Sequence, residues 1–293
     1  MLWFYLALAA TFMWAAVNVI DKYVISGFFK KPNIQLFISG VVQAVIAVAV
    51  VAFLGLSIPI NAFPLLGIAV GIISFAATVL YFKALFEEEV SRAIPVLSTI
   101  PLWVTLFAGL FLGEFLTPAQ YLGIVFLSLG SILVSLKKQA NWKLGFGFLL
   151  MLTSSVLYAV EHVTTKFLTL HLDFWNVYFW ETMGFLVCSL ALFALRGKDI
   201  KEAIGRFRKG ALLSASSEAI SSIAWFMMLF SFSIGFVSLS IAVTSLQPLV
   251  VLIFAILLSV FWPRIIKEEL ERATIALKAL AILLVIAGSI LLL

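Results

Sequence analysis

The sequence is short of the residues that catalytic and metal sites require. It contains one cysteine, Cys188, so it cannot form an intrachain disulfide framework. Its two histidines, His162 and His171, do not stand in a Cys/His metal-binding spacing. No phosphate-binding glycine loop and no Ser/His/Asp set is recognisable. The sequence therefore predicts no metal site, no cofactor, no catalytic residues and no enzymatic activity.

Charge is also scarce. Charged residues make up 11% of the 293 residues, whereas soluble domains contain about 25%. Apolar residues reach 64% and the mean hydropathy is +1.20, which leaves too few polar residues to cover a soluble surface. We therefore expect the chain to lie in a lipid bilayer. Its net charge of +5 belongs to no soluble basic domain, so we expect no nucleic-acid partner.

Ten apolar segments are long enough to cross the membrane, because a helix needs about 20 apolar residues to span about 30 Å of hydrocarbon. Turn or charge signals such as Thr117-Pro118 and Lys137-Lys138 separate them. The sequence predicts an all-α membrane protein with ten transmembrane helices. The predicted spans are residues 2–20, 34–54, 64–86, 91–112, 119–136, 144–166, 174–195, 210–232, 237–261 and 275–293.

The ten segments form two related groups of five. Shifting residues 64–113 along the chain, without a gap, pairs Ser74 with Ser221 and Pro101 with Pro248. Each group holds an odd number of spans, so the second group must enter the membrane upside down. The predicted units are therefore two inverted five-helix repeats, residues 1–138 and 139–293. In spans one and six, the matched residues are Trp14 with Tyr158, Asn18 with His162 and Lys22 with Lys166.

The basic residues predict an orientation. If the ten spans are right, every Lys and Arg except Lys166 falls on one side of the membrane. Because basic loops stay in the cytoplasm, both termini are predicted to be extracytoplasmic. The membrane is predicted to be the cytoplasmic membrane of a prokaryote.

The segment from span four into span five resembles the helix signature of EamA-type members of the drug/metabolite transporter superfamily. The resemblance rests on Pro101-Leu102-Trp103-Val104, Leu112-Gly113-Glu114, Leu116-Thr117-Pro118-Ala119-Gln120 and Gly123, with Trp14, Asn18 and Lys22 in the first helix. The second half repeats the pattern more loosely, beginning at Gln247-Pro248. The resemblance implies a transporter of two inverted repeats, but members carry amino acids, nucleotides, sugars and drugs, so it implies no particular substrate. Well-known bacterial members place both termini in the cytoplasm, whereas the charges of this chain predict the opposite.

Polar residues inside the spans fall on matched faces of spans one and six and of spans three and eight. Such residues usually face protein or water, although small ones also mark close helix packing. We expect one central cavity among spans one, three, four, six, eight and nine, with spans five and ten at the periphery. Pro95, Pro101 and Pro248 should interrupt spans four and nine. The predicted cavity-lining residues are Trp14, Asn18, Ser74, Thr78, Tyr81, Ser98, Tyr158, His162, Ser214, Ser217, Glu218, Ser221, Trp225, Ser245 and Gln247.

Three carboxylates, Glu161, Glu181 and Glu218, lie inside spans of the second half. Because desolvation disfavours the charged form of a carboxyl group, such residues can carry protons in proton-coupled transport. Pairing with Lys166 would explain their presence equally well. Lys166 could also extend from its helix end to the lipid headgroups.

The predicted function is that of a secondary transporter, which moves a small metabolite across the membrane by alternating access. Coupling of this transport to protons is one option. A lipid or polyprenyl-phosphate flippase is an alternative, which a laterally open cavity with a basic rim would favour. A membrane enzyme acting on a lipid-linked substrate would need a clustered acid, base or metal set at one depth. The expected partners are a small-molecule substrate and the lipid bilayer, with the protein as a monomer or homodimer.

Overall fold

The computed structural model describes residues 1–29, 32–54, 59, 61–87, 96–135, 145–261 and 272–293. These ranges are almost entirely helical and contain no strand. The first five helices are α1 (Leu2–Gly27), α2 (Pro32–Leu54), α3 (Phe63–Glu87), α4 (Ile100–Leu112) and α5 (Pro118–Ser135). The others are α6 (Phe146–Thr169), α7 (Phe174–Arg206), α8 (Arg208–Ile234), α9 (Val237–Val243), α10 (Gln247–Phe261) and α11 (Arg272–Leu292).

Membrane-spanning length is reached by seven helical segments among the described residues, and three shorter apolar helices accompany them. One of the seven, Val237–Phe254, joins α9 to the start of α10. The prediction of an integral, all-helical membrane protein is confirmed. The three shorter segments are Ile100–Leu112, Pro118–Leu133 and Ala279–Leu292.

The connection predicted after span seven is helical instead. Helix α7 passes through non-helical dihedral angles at Arg196 and continues to Arg206. The reason is that this extension has an apolar face of its own. Ile200 on this face is fully buried, and Phe207 comes directly after Arg206, the last residue of α7. Phe207 packs against the buried side chains of Val24 and Phe29. An amphipathic segment with a surface to cover folds as a helix although it is too polar to span a membrane.

Prolines interrupt two helices where the sequence predicts it. Helix α9 ends at Val243, a short 3-10 turn follows, and α10 begins with Pro248 as its second residue. Proline lacks a backbone N–H donor, so a helix accommodates it without loss only in its first turn. In the same way a turn at Ser98 and Thr99 precedes α4, which carries Pro101 in its first turn. Pro95 lies outside the described residues.

The bundle has two distinguishable ends. At one end Phe29, which follows α1, meets Phe207 between α7 and α8, with ring centroids 6.3 Å apart. This end is called the basic end because Lys198, Lys201, Arg206, Arg208 and Lys209 lie here. At the opposite end Ser231 of α8 donates a 2.8 Å hydrogen bond to the Trp3 carbonyl. Phe63 and His171 have ring centroids 4.5 Å apart at this same end.

Helix α3 packs in backbone contact with α7. A Cβ atom added to Gly71 would overlap the carbonyl oxygen of Glu181 and would come within 2.7 Å of the Phe185 nitrogen. One added to Gly184 would overlap the Ile68 carbonyl. These glycines let the two helices approach closely, which fixes the position of α7 beside the interior. The other main pairs are α1 with α8, α3 with α6, α2 with α7 and α8, and α5 with α11.

Candidate functional site

Aromatic residues from three helices meet in the interior. The Trp14 indole nitrogen donates a 3.2 Å hydrogen bond to the Ser221 hydroxyl, which joins α1 to α8. The rings of Trp14 and Trp225 have centroids 6.2 Å apart. His162 of α6 lies 5.6 Å from Trp225, centroid to centroid. Together with Tyr158 these rings form what we call the ring cluster: Trp14, Tyr158, His162 and Trp225.

A fourth helix joins the ring cluster through Tyr158. Its ring is stacked on His162 at a centroid distance of 6.4 Å. Its hydroxyl shares a 2.9 Å hydrogen bond with the Thr78 hydroxyl of α3. Residues predicted separately from four spans are thus in one connected set. Their contact with a solute remains a prediction.

Two carboxylates, which we call the α6–α7 acid pair, adjoin the ring cluster. Glu161 and Glu181 are each 6% exposed and interact electrostatically. Glu181 accepts a hydrogen bond from the Thr165 hydroxyl and lies in hydrogen-bonding range of the Trp225 indole. Glu161 lies in range of the Ser74 hydroxyl, while its Oε2 atom has no hydrogen-bond partner.

Glu218 is held by the second helix. Its Oε1 accepts from the Ser39 hydroxyl and from the Gln35 amide at 3.4 Å. Its Oε2 accepts from the Gln43 amide at 3.3 Å. All three donors lie on one face of α2, four residues apart. Under the predicted repeat, Glu218 corresponds to Gly71. These hydrogen bonds between α2 and α8 therefore stand where the other half has close packing of α7 against α3 at Gly71.

The serines near Glu218 have other partners. Ser214 donates to the Gln35 side-chain oxygen at 2.8 Å, and Ser217 donates to Asp21 Oδ1 at 2.6 Å. Asp21 and Glu218 interact electrostatically; we call them the α1–α8 acid pair. These two hydroxyls of α8 thus turn toward α2 and α1 and not toward Glu218.

Lys166 binds backbone carbonyls and not the three carboxylates. It is 8% exposed, and its ammonium donates to the carbonyls of Phe232 at 2.5 Å and Gly235 at 2.9 Å. These carbonyls belong to the last turn of α8 and the residue just beyond it. A cation at the carboxyl end of a helix satisfies carbonyls that lack intrahelical donors. This contact takes the place of the predicted pairing of Lys166 with the buried carboxylates.

Glu114 caps a helix of the second half. Its carboxylate accepts from the backbone nitrogens of Val237 at 3.1 Å and Ser238 at 3.3 Å. The Ser238 hydroxyl adds a 3.1 Å bond to the same carboxylate. The residue that the sequence marks as part of the family signature therefore joins the α4–α5 connection to the start of α9.

Asn18 is exposed although it does not lie on the lipid-facing side of α1. Tyr5, Phe12 and Tyr23 form the exposed apolar face of that helix. At about 100° per residue, Asn18 lies about 120° away from Phe12. Its exposure therefore indicates an opening other than the lipid face. Tyr81 is half-buried and interacts electrostatically with Asp21.

Three of the predicted residues lie at the helix breaks, and no contact described above joins them to the ring cluster. Ser98 accepts a 3.0 Å hydrogen bond from Ser131 of α5. Ser245 is 4% exposed in the 3-10 turn, and its hydroxyl has no hydrogen-bond partner. Gln247 is half-buried at the start of α10. The structure places all three at the breaks before α4 and α10.

Four polar residues of this interior were missed in the sequence. Asp21 was overlooked because it stands one residue before Lys22 at a predicted span end. Gln35, Ser39 and Gln43 do not stand out in span two because its other residues keep the mean hydropathy high, at 2.6 for Pro32–Leu54. Their spacing of four residues is the signal that could have found them, since it places them on one helical face.

Residues 1–136 match the model of the EamA-like transporter family. Over these residues the match bears out the predicted resemblance to EamA-type members of the drug/metabolite transporter superfamily, and it agrees with a transporter rather than an enzyme. No curated protein matches the chain. Twenty-nine chains of solved structures do. One, described only as a crystal structure of a protein, superposes with a TM-score of 0.75 at 16% identity, over 99% of this chain and 95% of its own.

Proposed function

We propose that this protein is a secondary transporter that carries a small solute through a site at the ring cluster. The observation that carries the proposal is the meeting of α1, α3, α6 and α8 through Trp14, Ser221, Trp225, His162 and Tyr158. Polar groups are costly inside a membrane protein unless they serve a pathway or a structural bond. Binding sites of transporters lie near the midplane between repeats.

Inverted repeats and alternating access form part of this proposal. Helix–helix contacts of one predicted repeat have counterparts in the other when each helix is replaced by its repeat-related helix. The α1–α8 contact corresponds to the α3–α6 contact, and the α2–α8 contact corresponds to the α3–α7 contact. Rocking of two such halves about a fixed site is the usual mode of alternating access. The predicted units remain residues 1–138 and 139–293.

The two acid pairs lie toward opposite ends of the bundle. Asp21 is six residues from the end of α1 at the basic end, a rise of about 9 Å. Glu181 is seven residues from the start of α7 at the opposite end, a rise of about 10 Å. In an alternating cycle each pair would face one aqueous phase in turn. This placement supports proton coupling, with Glu218 as the carrier and Asp21 and Tyr178 as its titratable neighbours.

The basic end is proposed to face the cytoplasm of a prokaryotic cell, which puts both termini outside. After Cys188 is replaced, a cysteine at Lys201 should resist an impermeant thiol reagent in intact cells, whereas one at Leu170 should react. Both positions are exposed in the structure, so their reactivity reports the side of the membrane. Labelling at position 201 without labelling at 170 would reverse the orientation.

Transport itself is tested by reconstitution. Purified protein is first screened by thermal shift against amino acids, nucleosides, sugars and organic amines. Radiolabelled forms of the compounds that stabilise it are then offered to liposomes that contain the protein. We expect uptake above that of empty liposomes and a loss of most of it in Trp225→Ala, because this ring contacts both Trp14 and His162. Glu202→Gln, at an exposed residue of the α7 extension, serves as the control. Stabilising compounds that never cross the membrane would contradict the proposal.

A further inference from the structure

We infer that the solute is an organic cation whose positively charged nitrogen is held between the α6–α7 acid pair and the ring cluster. This inference rests on the proposed function, since it names the class of solute for the same site. Its elements are two buried carboxylates, a carboxylate oxygen without a donor and aromatic faces beside them.

A positive partner would let the two carboxylates of the α6–α7 acid pair stay ionised inside the protein. Glu161 and Glu181 are both more than nine-tenths buried, and no Lys or Arg side chain that the structure describes pairs with either. Lys166, on the same helix as Glu161, is committed to two backbone carbonyls. Buried carboxylates persist only when protonated, paired or hydrated. The Oε2 atom of Glu161, which has no hydrogen-bond donor, offers negative charge to a positively charged nitrogen of either kind, a protonated amine or a quaternary ammonium.

The rings supply the second half of a cation site. Aromatic faces attract ammonium groups through the ring quadrupole, and tryptophan does so most strongly. Trp225 reaches Glu181 with its indole and faces Trp14 and His162 with its ring. His162 also carries a buried Nδ1 atom without a hydrogen-bond partner. The acid pair and the aromatic faces are therefore parts of one site.

Other solute classes fit less well. Two neighbouring carboxylates repel an anion, and the ammonium of Lys166 is not available to bind one. Zn²⁺ takes about three or four protein ligands and Ca²⁺ about six to eight oxygen ligands, more than two carboxylates supply. Among the residues that the structure describes, no three His, Cys, Asp or Glu side chains could hold a metal ion. Two carboxylates with rings instead suit a singly charged nitrogen on an apolar body.

The test uses three probes of similar size that differ in charge: benzyltrimethylammonium, benzyl alcohol and benzoate. Binding to the purified protein is measured by calorimetry, and uptake by liposomes with radiolabelled probes. We expect binding, and uptake above that of empty liposomes, for the ammonium compound only. Glu161→Gln and Glu181→Gln should each weaken its binding about tenfold or more, because each removes a charge-assisted contact. Glu202→Gln should leave its affinity unchanged.

The outcomes separate the inference from the proposed function. Uptake of benzyl alcohol or benzoate, with none of the ammonium compound, would overturn the cation assignment and leave a transporter. Binding of the ammonium compound that requires both glutamates, without uptake, would support the assignment and overturn transport. If the protein binds none of the three, or binds the ammonium compound equally well in all variants, the assignment is wrong. Circular dichroism of each variant checks that the fold is retained.

Discussion

Replacing Glu218 with glutamine is expected to leave the protein folded while removing the drive that a proton gradient gives to uptake. A transported solute should then equilibrate across the liposome membrane instead of accumulating. Glutamine preserves the length of the side chain and an oxygen that can accept from Ser39. Its amide group replaces the oxygen that Gln43 contacts, and the Gln43 amide can turn to present its own oxygen. The group that is lost is the titrating one.

Accumulation of the solute in liposomes with an imposed pH gradient is the measurement for this variant. Glu202→Gln is a matched control, since it makes the same change at an exposed residue. Glu218→Leu should behave differently, because it leaves Gln35, Ser39 and Gln43 without their acceptor, so it should unfold more easily. Gradient-driven accumulation by Glu218→Gln at the rate of the unaltered protein would make Glu218 a structural residue. Glu161 and Glu181 would then be the candidates for proton coupling.

Replacing Glu114 with alanine is expected to give the largest loss of stability of any single change considered for this protein. The carboxylate is 5% exposed and accepts three hydrogen bonds from Val237 and Ser238. Each buried donor left unpaired costs about 1–3 kcal/mol, so the loss should reach about 3 kcal/mol or more. Because the contact joins the two predicted repeats, unfolding should also begin where they meet.

The stability of Glu114→Ala is measured by unfolding in mixed micelles of increasing denaturing detergent, followed by circular dichroism. The stability of Glu114→Gln should lie between that of the unaltered protein and that of Glu114→Ala, since its amide oxygen can still accept some of the three hydrogen bonds. Glu202→Ala is the control, since it makes the same change at an exposed residue. A Glu114→Ala protein as stable as this control would show that the cap contributes little.

The sequence predicted the spans well because lipid imposes a simple rule on composition and length. The break at Pro248 was predictable for a similar reason, since proline removes a backbone donor wherever it stands. The helical extension after Arg196 was not predictable, because it is stabilised by Phe29, which follows α1, and by Ile34 of α2. Local polarity there resembles that of a loop. Only the tertiary contact shows that this polar segment is a helix and not a loop.

The sequence could predict which helix faces carry the polar residues of the site, but not which hydrogen-bond partners those residues have. Helical spacing placed Ser214, Ser217 and Glu218 close together on α8, and the structure agrees. Spacing within one helix cannot tell which neighbouring helix a side chain meets, so Asp21 and Gln35 were missed as partners. Lys166 was misread for the same reason, because its acceptors are backbone carbonyls about 66 residues further along the chain.

Counterflow of benzyltrimethylammonium tests the central claim most directly. Liposomes that contain the protein are preloaded with the unlabelled compound and diluted into a trace of the radiolabelled form. A carrier with one site that faces each side in turn should produce a transient internal excess of label. We expect this excess with the unaltered protein and with Glu202→Gln, and none with Glu161→Gln. Label that only approaches equilibrium, at the same rate in all three preparations, would contradict a carrier with its site at the ring cluster and the α6–α7 acid pair.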